Sequence, residues 1–132
     1  ASTDSAMNRG RFRSMDFAPV ASWALFDRAV QVARETGLGF HAGGVLSSDT
    51  FYQDDPQLWK LWAEYGTLAV EMESNQLYTL AAKYSVEALT ILTVSDSLVT
   101  GEELSSEERQ SSFHEMAQLA LAVAERSADA SD

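Results

Sequence analysis

Residues 67–84 read TLAVEMESNQLYTLAAKY, and the pattern changes once along their length. Residues 68–70 form a short apolar run of the size and composition of a buried strand. Glu71 and Glu73 follow on either side of a methionine, and a helical period then begins at Ser74. The apolar members of that period would share one stripe: Leu77, Leu80, Ala81 and Tyr84. The pattern predicts a strand that passes directly into a helix, with two carboxylates at the junction.

The two carboxylates at this junction admit two interpretations. In open α/β sheets, ligands bind beyond the carboxyl ends of the strands, which is where Glu71 and Glu73 would lie. Alternatively, acidic side chains stabilise the first turn of a helix because they complement its dipole. Helix stabilisation accounts for one acid better than for two acids around Met72, so both interpretations stay open at this point.

The next segment predicts a second strand that is also followed by an acidic residue. Residues 86–94 are nearly continuous in their apolarity, which fits a parallel strand covered on both faces. Strand 67–72, helix 74–84 and strand 86–94 would then form one right-handed βαβ unit. Since Ser95 and Asp96 follow the second strand directly, both strands would present acids at the same sheet edge. This coincidence favours a ligand site at that edge.

The remaining segments predict helices and a further strand around this unit. The elements are a helix between Ser22 and Gly37, a strand over residues 38–48, and a helix between Pro56 and Gly66. A polar loop after the strand at 38–48 carries Phe51 and Tyr52 side by side, either as a lid over a flat ligand or as an anchored loop.

The last helix opens with a capping-box pattern, in which Ser105 and Glu108 are three residues apart. Its predicted apolar stripe consists of Phe113, Met116, Ala117, Ala120 and Ala124. Arg109 lies four residues before Phe113 and is therefore predicted on the inward stripe rather than on the solvated face. An inward arginine needs a carboxylate partner, and we expect Asp96 to be that partner.

Composition limits the classes of function. At 132 residues with 45% hydrophobic side chains, the sequence predicts one globular domain with a core of its own. A net charge of −11 argues against nucleic acid or an anionic membrane as a partner, because both attract clustered Lys and Arg. Without cysteine there is no disulfide or thiolate site, and Glu71 and Glu73 have no neighbouring histidine, so we predict no metal. No apolar run reaches membrane-spanning length and no leader pattern is present, which predicts a cytoplasmic protein.

Three motifs resemble those of a known family. They are VEMES at 70–74, TVSDS at 93–97 and SEERQSSF at 106–113, and all three closely resemble the bacterial, hexameric type of purine nucleoside phosphorylase. TDS at 3–5 and NRGRF at 8–12 match in order and spacing, so that the resemblance covers essentially the whole chain. The resemblance implies an α/β, three-layer nucleoside phosphorylase-like fold with a mixed central sheet flanked by helices.

The resemblance implies a nucleoside pocket at the first acidic strand end. Glu73 would hold the ribose hydroxyls, with Met72 against the sugar. Glu71 and Val70 would line the pocket, and Phe51 would face the base.

It also implies the chemistry of purine phosphorolysis, with inorganic phosphate as co-substrate and no cofactor. Asp96 would protonate the purine as it leaves, Ser95 would help to place the purine, and Arg109 would assist Asp96. The physical argument agrees with these roles. A carboxylate stabilises oxocarbenium-like charge on the ribose, and a purine leaves poorly unless its N7 atom gains a proton.

The chain differs from the family at its N-terminal end. Family members carry an N-terminal portion with phosphate-binding glycines and arginines, and a neighbouring subunit completes each site. Since this chain starts at Ala1 without that portion, residues 1–132 would form the C-terminal portion of a single nucleoside phosphorylase domain. The expected partners are a purine nucleoside, phosphate, the missing N-terminal portion and further subunits, which in the family form a hexamer as a trimer of dimers.

Other functions remain open on the residues alone. A nucleosidase of the same superfold uses water in place of phosphate and shares the Met-Glu and Ser-Asp elements, although the stretch around Arg109 resembles the phosphorylases better. A uridine phosphorylase fits less well, because Asp96 suits a purine. A non-catalytic nucleoside-binding or assembly fragment would keep the pocket without turnover.

We predict that the 132-residue chain alone shows negligible phosphorolysis, because the phosphate-binding portion of the family is missing from it. The measurement is a steady-state assay of free-base release from inosine and adenosine at saturating phosphate. Robust turnover by the pure chain would contradict the prediction.

Overall fold

The computed structural model describes residues 1–52 and 54–129. The elements within these residues are β1 (Ser2–Thr3), α1 (Met7–Arg11), α2 (Trp23–Thr36), β2 (Gly44–Ser47), α3 (Leu58–Glu64), β3 (Thr67–Glu71), α4 (Ser74–Tyr84) and α5 (Ser106–Asp129). The chain divides into two compact units, which are described separately below. The first unit comprises residues 1–21 and 42–88, and the second comprises residues 22–41 and the chain from 89 onward.

The first unit is built on a parallel sheet of three strands in the order β1-β2-β3. Leu46 in the central strand is buried, with Ser2 opposite it in β1 and Val70 opposite it in β3. Helix α4 packs against β2, and α3 packs against β3. Because all three strands run in the same direction, their carboxyl ends lie together at one edge of the sheet.

The junction between β3 and α4 is as predicted. The strand ends at Glu71, and the helix begins three residues later at Ser74. Helix α4 ends at Tyr84. The next residue, Ser85, takes up a left-handed backbone conformation with φ 55° and donates its N–H to the Ala82 carbonyl at 3.4 Å. The predicted helix over 74–84 is therefore confirmed at both ends.

The buried face of α4 differs from the predicted apolar stripe. The buried residues are Ser74, Asn75, Tyr78, Thr79 and Ala81. Of the predicted stripe, only Ala81 is buried, whereas Leu77 and Leu80 are 44% and 42% exposed. The reason is that Asn75 and Thr79 are hydrogen-bonded to the buried side chain of Asn8, which turns the polar side of the helix inward. Hydrogen-bonded amides and hydroxyls can be buried at little cost.

The run at 86–94 is not a strand of the sheet, so the predicted βαβ unit is wrong. The sheet contains only β1, β2 and β3 among the residues that the structure describes. Ala88 packs with Tyr78 and Ala81 in the core of the first unit, whereas Ile91 packs against the core of the second. The apolar residues of this run are thus used by two separate cores, and such use cannot be distinguished from a buried strand by composition. The strand predicted over 38–48 is also shorter, since β2 covers only Gly44–Ser47.

The second unit is built on the packing of α2 against α5. Helix α2 lies between Ser22 and Gly37, as predicted. Gly37 has a φ of 72°, which lies in the left-handed region that favours glycine. The core between the two helices consists of Val32, Ala33, Leu119 and Val123. Every helix within the described part of the chain is too short or too polar to cross a bilayer.

The buried stripe of α5 is not the one predicted. Leu119 and Val123 are buried, whereas Phe113 at the head of the predicted stripe is 50% exposed. Because Leu and Val remove more apolar surface from water than the alanines of the predicted stripe, the helix turns this pair toward α2. Only Met116 of the predicted set is partly buried on the observed side.

We predict that Leu119→Ala lowers the free energy of unfolding by about 2–5 kcal/mol, because it leaves a cavity between α2 and α5. The matched control is Leu121→Ala on the same helix, whose side chain is 65% exposed and should change the stability by less than about 0.5 kcal/mol. Urea unfolding followed by circular dichroism measures both. Equal losses for the two variants would contradict the observed face of α5.

Candidate functional site

The carboxyl ends of the three strands are joined to one another by hydrogen bonds. Thr3 Oγ1 donates to the Ser47 carbonyl at 2.8 Å, and the Ser48 N–H donates to the Glu71 carbonyl at 2.8 Å. Asp4, which follows β1, accepts a hydrogen bond from Ser48 Oγ at 2.7 Å. The sheet edge at which ligands bind in α/β proteins is therefore held rigidly in the first unit.

The Glu71 carboxylate is bound to the start of α4. Its Oε2 atom accepts the backbone N–H groups of Glu73 at 2.8 Å and of Ser74 at 2.7 Å. Its Oε1 atom accepts a hydrogen bond from Ser47 Oγ, which in turn accepts the N–H of Asn75 at 2.8 Å. The first N–H groups of a helix have no partner within the helix, so Glu71 supplies one. For this acid, the interpretation as a helix-stabilising residue is confirmed.

The environment of Glu71 favours its charged form. Burial raises the pKa of this carboxyl, but the hydrogen bonds from Ser47 Oγ, from the N–H groups of Glu73 and Ser74 and from the Ser74 hydroxyl outweigh that effect. The pKa of Glu71 consequently lies below its ordinary value.

Met72 and Glu73 are exposed at the same junction. The Glu73 carbonyl accepts the N–H of Leu77 at 3.0 Å, which closes the first turn of α4, while the Glu73 side chain is exposed. Met72 is 41% exposed, and Val70 on β3 is 43% exposed. The two acids thus differ in their surroundings: Glu71 is bound within the fold, and Glu73 is accessible to a ligand.

Phe51 lies in the loop that follows β2. Its ring is 74% exposed and meets the edge of the Tyr52 ring with the two centroids 5.0 Å apart. The start of the loop is anchored, because the Asp49 N–H donates to Asp4 Oδ1 at 3.1 Å. The predicted loop includes Gln53, which lies outside the described residues. Phe51 is exposed, so that its ring can stack on a flat ligand.

Ser95 and Asp96 lie together in the second unit. Asp96 forms an isolated antiparallel bridge with Glu103, supported by a hydrogen bond from the Leu104 N–H to the Ser95 carbonyl at 2.8 Å. Ser95 Oγ donates to Asp96 Oδ1 at 3.2 Å, so the hydroxyl orients the carboxylate. The Asp96 side chain is exposed and accessible to a ligand.

The capping box at the start of α5 is confirmed. The Ser105 N–H donates to Glu108 Oε2 at 2.8 Å, and the Glu108 N–H donates to Ser105 Oγ at 3.3 Å. Both donors would otherwise be unpaired in the first turn.

Arg109 does not form the predicted ion pair with Asp96. Its Nε atom donates to the Leu104 carbonyl at 3.0 Å, and its Nη2 atom lies 3.8 Å from Glu103 Oε2. The side chain is exposed rather than inward. Arg109 lies in the first turn of α5, and its side chain folds back onto Leu104 and Glu103 just before the helix. Glu103 is the residue that forms the bridge with Asp96.

A buried polar cluster beneath α4 was missed from the sequence. Asn8 Nδ2 donates to Asn75 Oδ1 at 2.6 Å and to Thr79 Oγ1 at 3.2 Å, and Arg11 Nη1 donates to Asn8 Oδ1 at 3.0 Å. The cluster fixes α1 against α4. A usable signal existed, because Asn75 and Thr79 are four residues apart and must share one face of the helix.

Within residues 1–52 and 54–129, no group of three or more histidine or acidic side chains converges as metal ligands would. The acidic residues at the sheet edge are satisfied by protein donors or face solvent individually.

Comparison with known proteins finds relatives along almost the whole chain. The sequence model of the phosphorylase superfamily matches residues 3–129. A purine nucleoside phosphorylase DeoD-type from Caldanaerobacter subterraneus is 60% identical over 124 residues, which cover 94% of this chain and 53% of the relative. The corresponding protein of Thermoanaerobacter sp. is 59% identical over 95% of this chain and 54% of its own length, and that of Clostridium perfringens is 56% identical over 92% and 52%. The chain spans about half the length of these relatives.

We predict that the stabilisation provided by Glu71 depends on pH. Because the pKa of Glu71 is lowered in the folded state, its contribution is fully present above the ordinary value of 4.5 and is lost as the pH falls through the lower folded-state value. Glu71→Gln should therefore be less stable than the unsubstituted chain near neutral pH, and the difference should shrink in increasingly acidic buffer. Urea unfolding of both proteins across this range measures it, and a difference independent of pH would refute the charge effect.

Proposed function

Because the chain belongs to the phosphorylase superfamily, we propose that it supplies the ribose-binding and base-binding parts and the general acid of a purine nucleoside phosphorylase. Such an enzyme cleaves a purine ribonucleoside or deoxyribonucleoside with inorganic phosphate, which releases the free base and a pentose 1-phosphate. The observation that carries the proposal is the similarity to purine nucleoside phosphorylases along almost the whole chain, together with the accessible acids at 73 and 96.

The ribose would bind at the end of β3. Glu73 is exposed beside the first turn of α4 and has a carboxylate that can accept hydrogen bonds from the vicinal hydroxyls. Its negative charge would also stabilise the oxocarbenium-like ribose as the glycosidic bond breaks. Met72 and Val70, which are both partly exposed, offer apolar contact to the sugar and the pocket wall.

Roles toward the base are proposed for Phe51 in the first unit and for Asp96 in the second. The exposed ring of Phe51 offers stacking to the purine, and Asp96 would donate a proton to N7 as the base leaves. Ser95 holds the Asp96 carboxylate by its hydroxyl. The contacts of Arg109 with Leu104 and Glu103 support a role in holding the segment that is bridged to Asp96.

The rest of the proposal concerns the whole enzyme. Phosphate acts as co-substrate without a cofactor, and the enzyme works in purine salvage in the cytoplasm. It assembles as a hexamer, arranged as a trimer of dimers, with residues 1–132 as the C-terminal portion of a single domain. The support for these features is the resemblance of the three sequence motifs to the hexameric type of purine nucleoside phosphorylase, together with the similarity to the DeoD-type relatives.

Asp96→Asn in the complete enzyme tests the proposed chemistry. Asparagine keeps the shape and the hydrogen-bonding capacity of the side chain but has no proton to hand over. Since general acid catalysis contributes about 10²–10⁴-fold, inosine phosphorolysis should fall by that order. A nucleoside already methylated at N7 carries its positive charge permanently, so its rate should change far less.

Both substrates are measured on the same variant. Equal losses would assign Asp96 to placing the base or to supporting the fold and would remove the general acid from the proposal. Release of base from the unsubstituted enzyme without phosphate would favour a nucleosidase instead.

A further inference from the structure

We propose that Ser47 and Glu71 are positioning residues, which hold the first turn of α4 and thereby set the place of the Glu73 carboxylate. The proposal rests on the proposed function, in which Glu73 holds the ribose hydroxyls. It assigns to Glu71 a role that differs from direct contact with the nucleoside, and it brings in Ser47, which carries no substrate role.

The hydrogen bonds of Glu71 end on the backbone that carries Glu73. The Oε2 atom accepts the N–H of Glu73 itself at 2.8 Å and that of Ser74 at 2.7 Å. Two adjacent peptide groups are thus fixed on one oxygen. The Glu73 Cα is held between them, and its side chain leaves the backbone from an immobilised point.

Ser47 joins this turn to the centre of the sheet. It is the last residue of the middle strand, it donates to Glu71 Oε1, and it accepts the N–H of Asn75 at 2.8 Å. One hydroxyl therefore connects β2, β3 and α4. Ser47 is only 4% exposed, so any effect of this side chain on a nucleoside must pass through Glu71 and α4.

The two neighbouring acids, Glu71 and Glu73, differ in their hydrogen-bond partners. Glu71 is surrounded by donors: the hydroxyls of Ser47 and Ser74 and two backbone N–H groups. These donors stabilise the negative charge of Glu71 within the fold, in keeping with its lowered pKa. The exposed Glu73 carboxylate is thereby left to the substrate. One acid shapes the site, and the other binds.

Precise placement of Glu73 has a measurable effect on rate. A misplacement of about 1 Å in an active site can reduce the rate by about 100-fold. A variant that loosens the turn should therefore weaken the reaction of substrates with ribose hydroxyls and spare those without them. This pattern differs from that of a general loss of folding, which would affect both kinds of substrate alike.

The test is Ser47→Ala in the complete enzyme, with Ser48→Ala as the matched control. Ser48 is the adjacent buried serine, but its hydroxyl donates to Asp4 and to the Thr50 carbonyl rather than to Glu71. The values of kcat and KM are measured for a purine ribonucleoside and for an analogue that lacks both ribose hydroxyls, with Glu73→Ala as the reference. Ser47→Ala should lose about 10-fold to 100-fold in kcat/KM with the ribonucleoside, little with the analogue, and Ser48→Ala little with either.

Amide hydrogen exchange provides a readout independent of turnover. The N–H groups of Glu73, Ser74 and Asn75 should exchange faster in Ser47→Ala and in Glu71→Ala than in Ser48→Ala. Glu71→Gln keeps one carbonyl oxygen for the two backbone N–H groups, and it should restore part of both the protection and the activity lost in Glu71→Ala.

Two results would overturn the proposal while the proposed function stands. In the first, Ser47→Ala matches Ser48→Ala in activity while Glu71→Ala is impaired, which means that Glu71 acts by direct contact. In the second, Ser47→Ala loses the same factor with both substrates, which means that the residue only supports the fold. Absence of phosphorolysis by the unsubstituted complete enzyme would instead overturn the proposed function and this proposal with it.

Discussion

The interaction on which the first unit depends is the hydrogen bonding of the Glu71 carboxylate to the amino end of α4. This carboxylate lies where the last strand of the sheet passes into the helix, and it accepts backbone N–H groups that the helix cannot pair itself. Through Ser47 it also reaches the central strand. A single, partly buried acid therefore fixes the direction in which α4 leaves the sheet, and the exposed residues of the junction take their places from it.

The sequence predicted the features that are decided locally. The junction at 67–84, the end of α2 at Gly37 and the capping box between Ser105 and Glu108 each depend on residues within one or two turns of one another. The buried faces of α4 and α5 were wrong because they depend on distant partners. The spacing of Asn75 and Thr79 shows that they share one face of α4, but it does not show that Asn8, 67 residues before Asn75, covers that face.

The candidate site shows the same division. The cluster at 70–73 lies at the strand end where the sequence placed it. Ser95 and Asp96 are hydrogen-bonded to each other, but they do not follow a strand of the sheet, because the strand predicted over 86–94 does not form. The partner of Arg109 was wrong, since the periodicity placed this residue on a buried stripe, whereas the side chain turns back to Glu103 and Leu104. The proposed roles of the site residues rest on the resemblance to a family. The structure distinguishes the two acids of the junction, because it shows that Glu71, and not Glu73, accepts the first N–H groups of α4.

The link between Asn8 and Asn75 has a consequence for the order in which the first unit folds. The contact closes a loop of 67 residues, and the entropy of such a closure must be lost before its hydrogen bonds form. The turn at 71–74 needs no comparable closure. We therefore expect the strand and helix on either side of that turn to form early and to act as a template. The segment that contains α1 would dock onto them late and detach first when the unit opens.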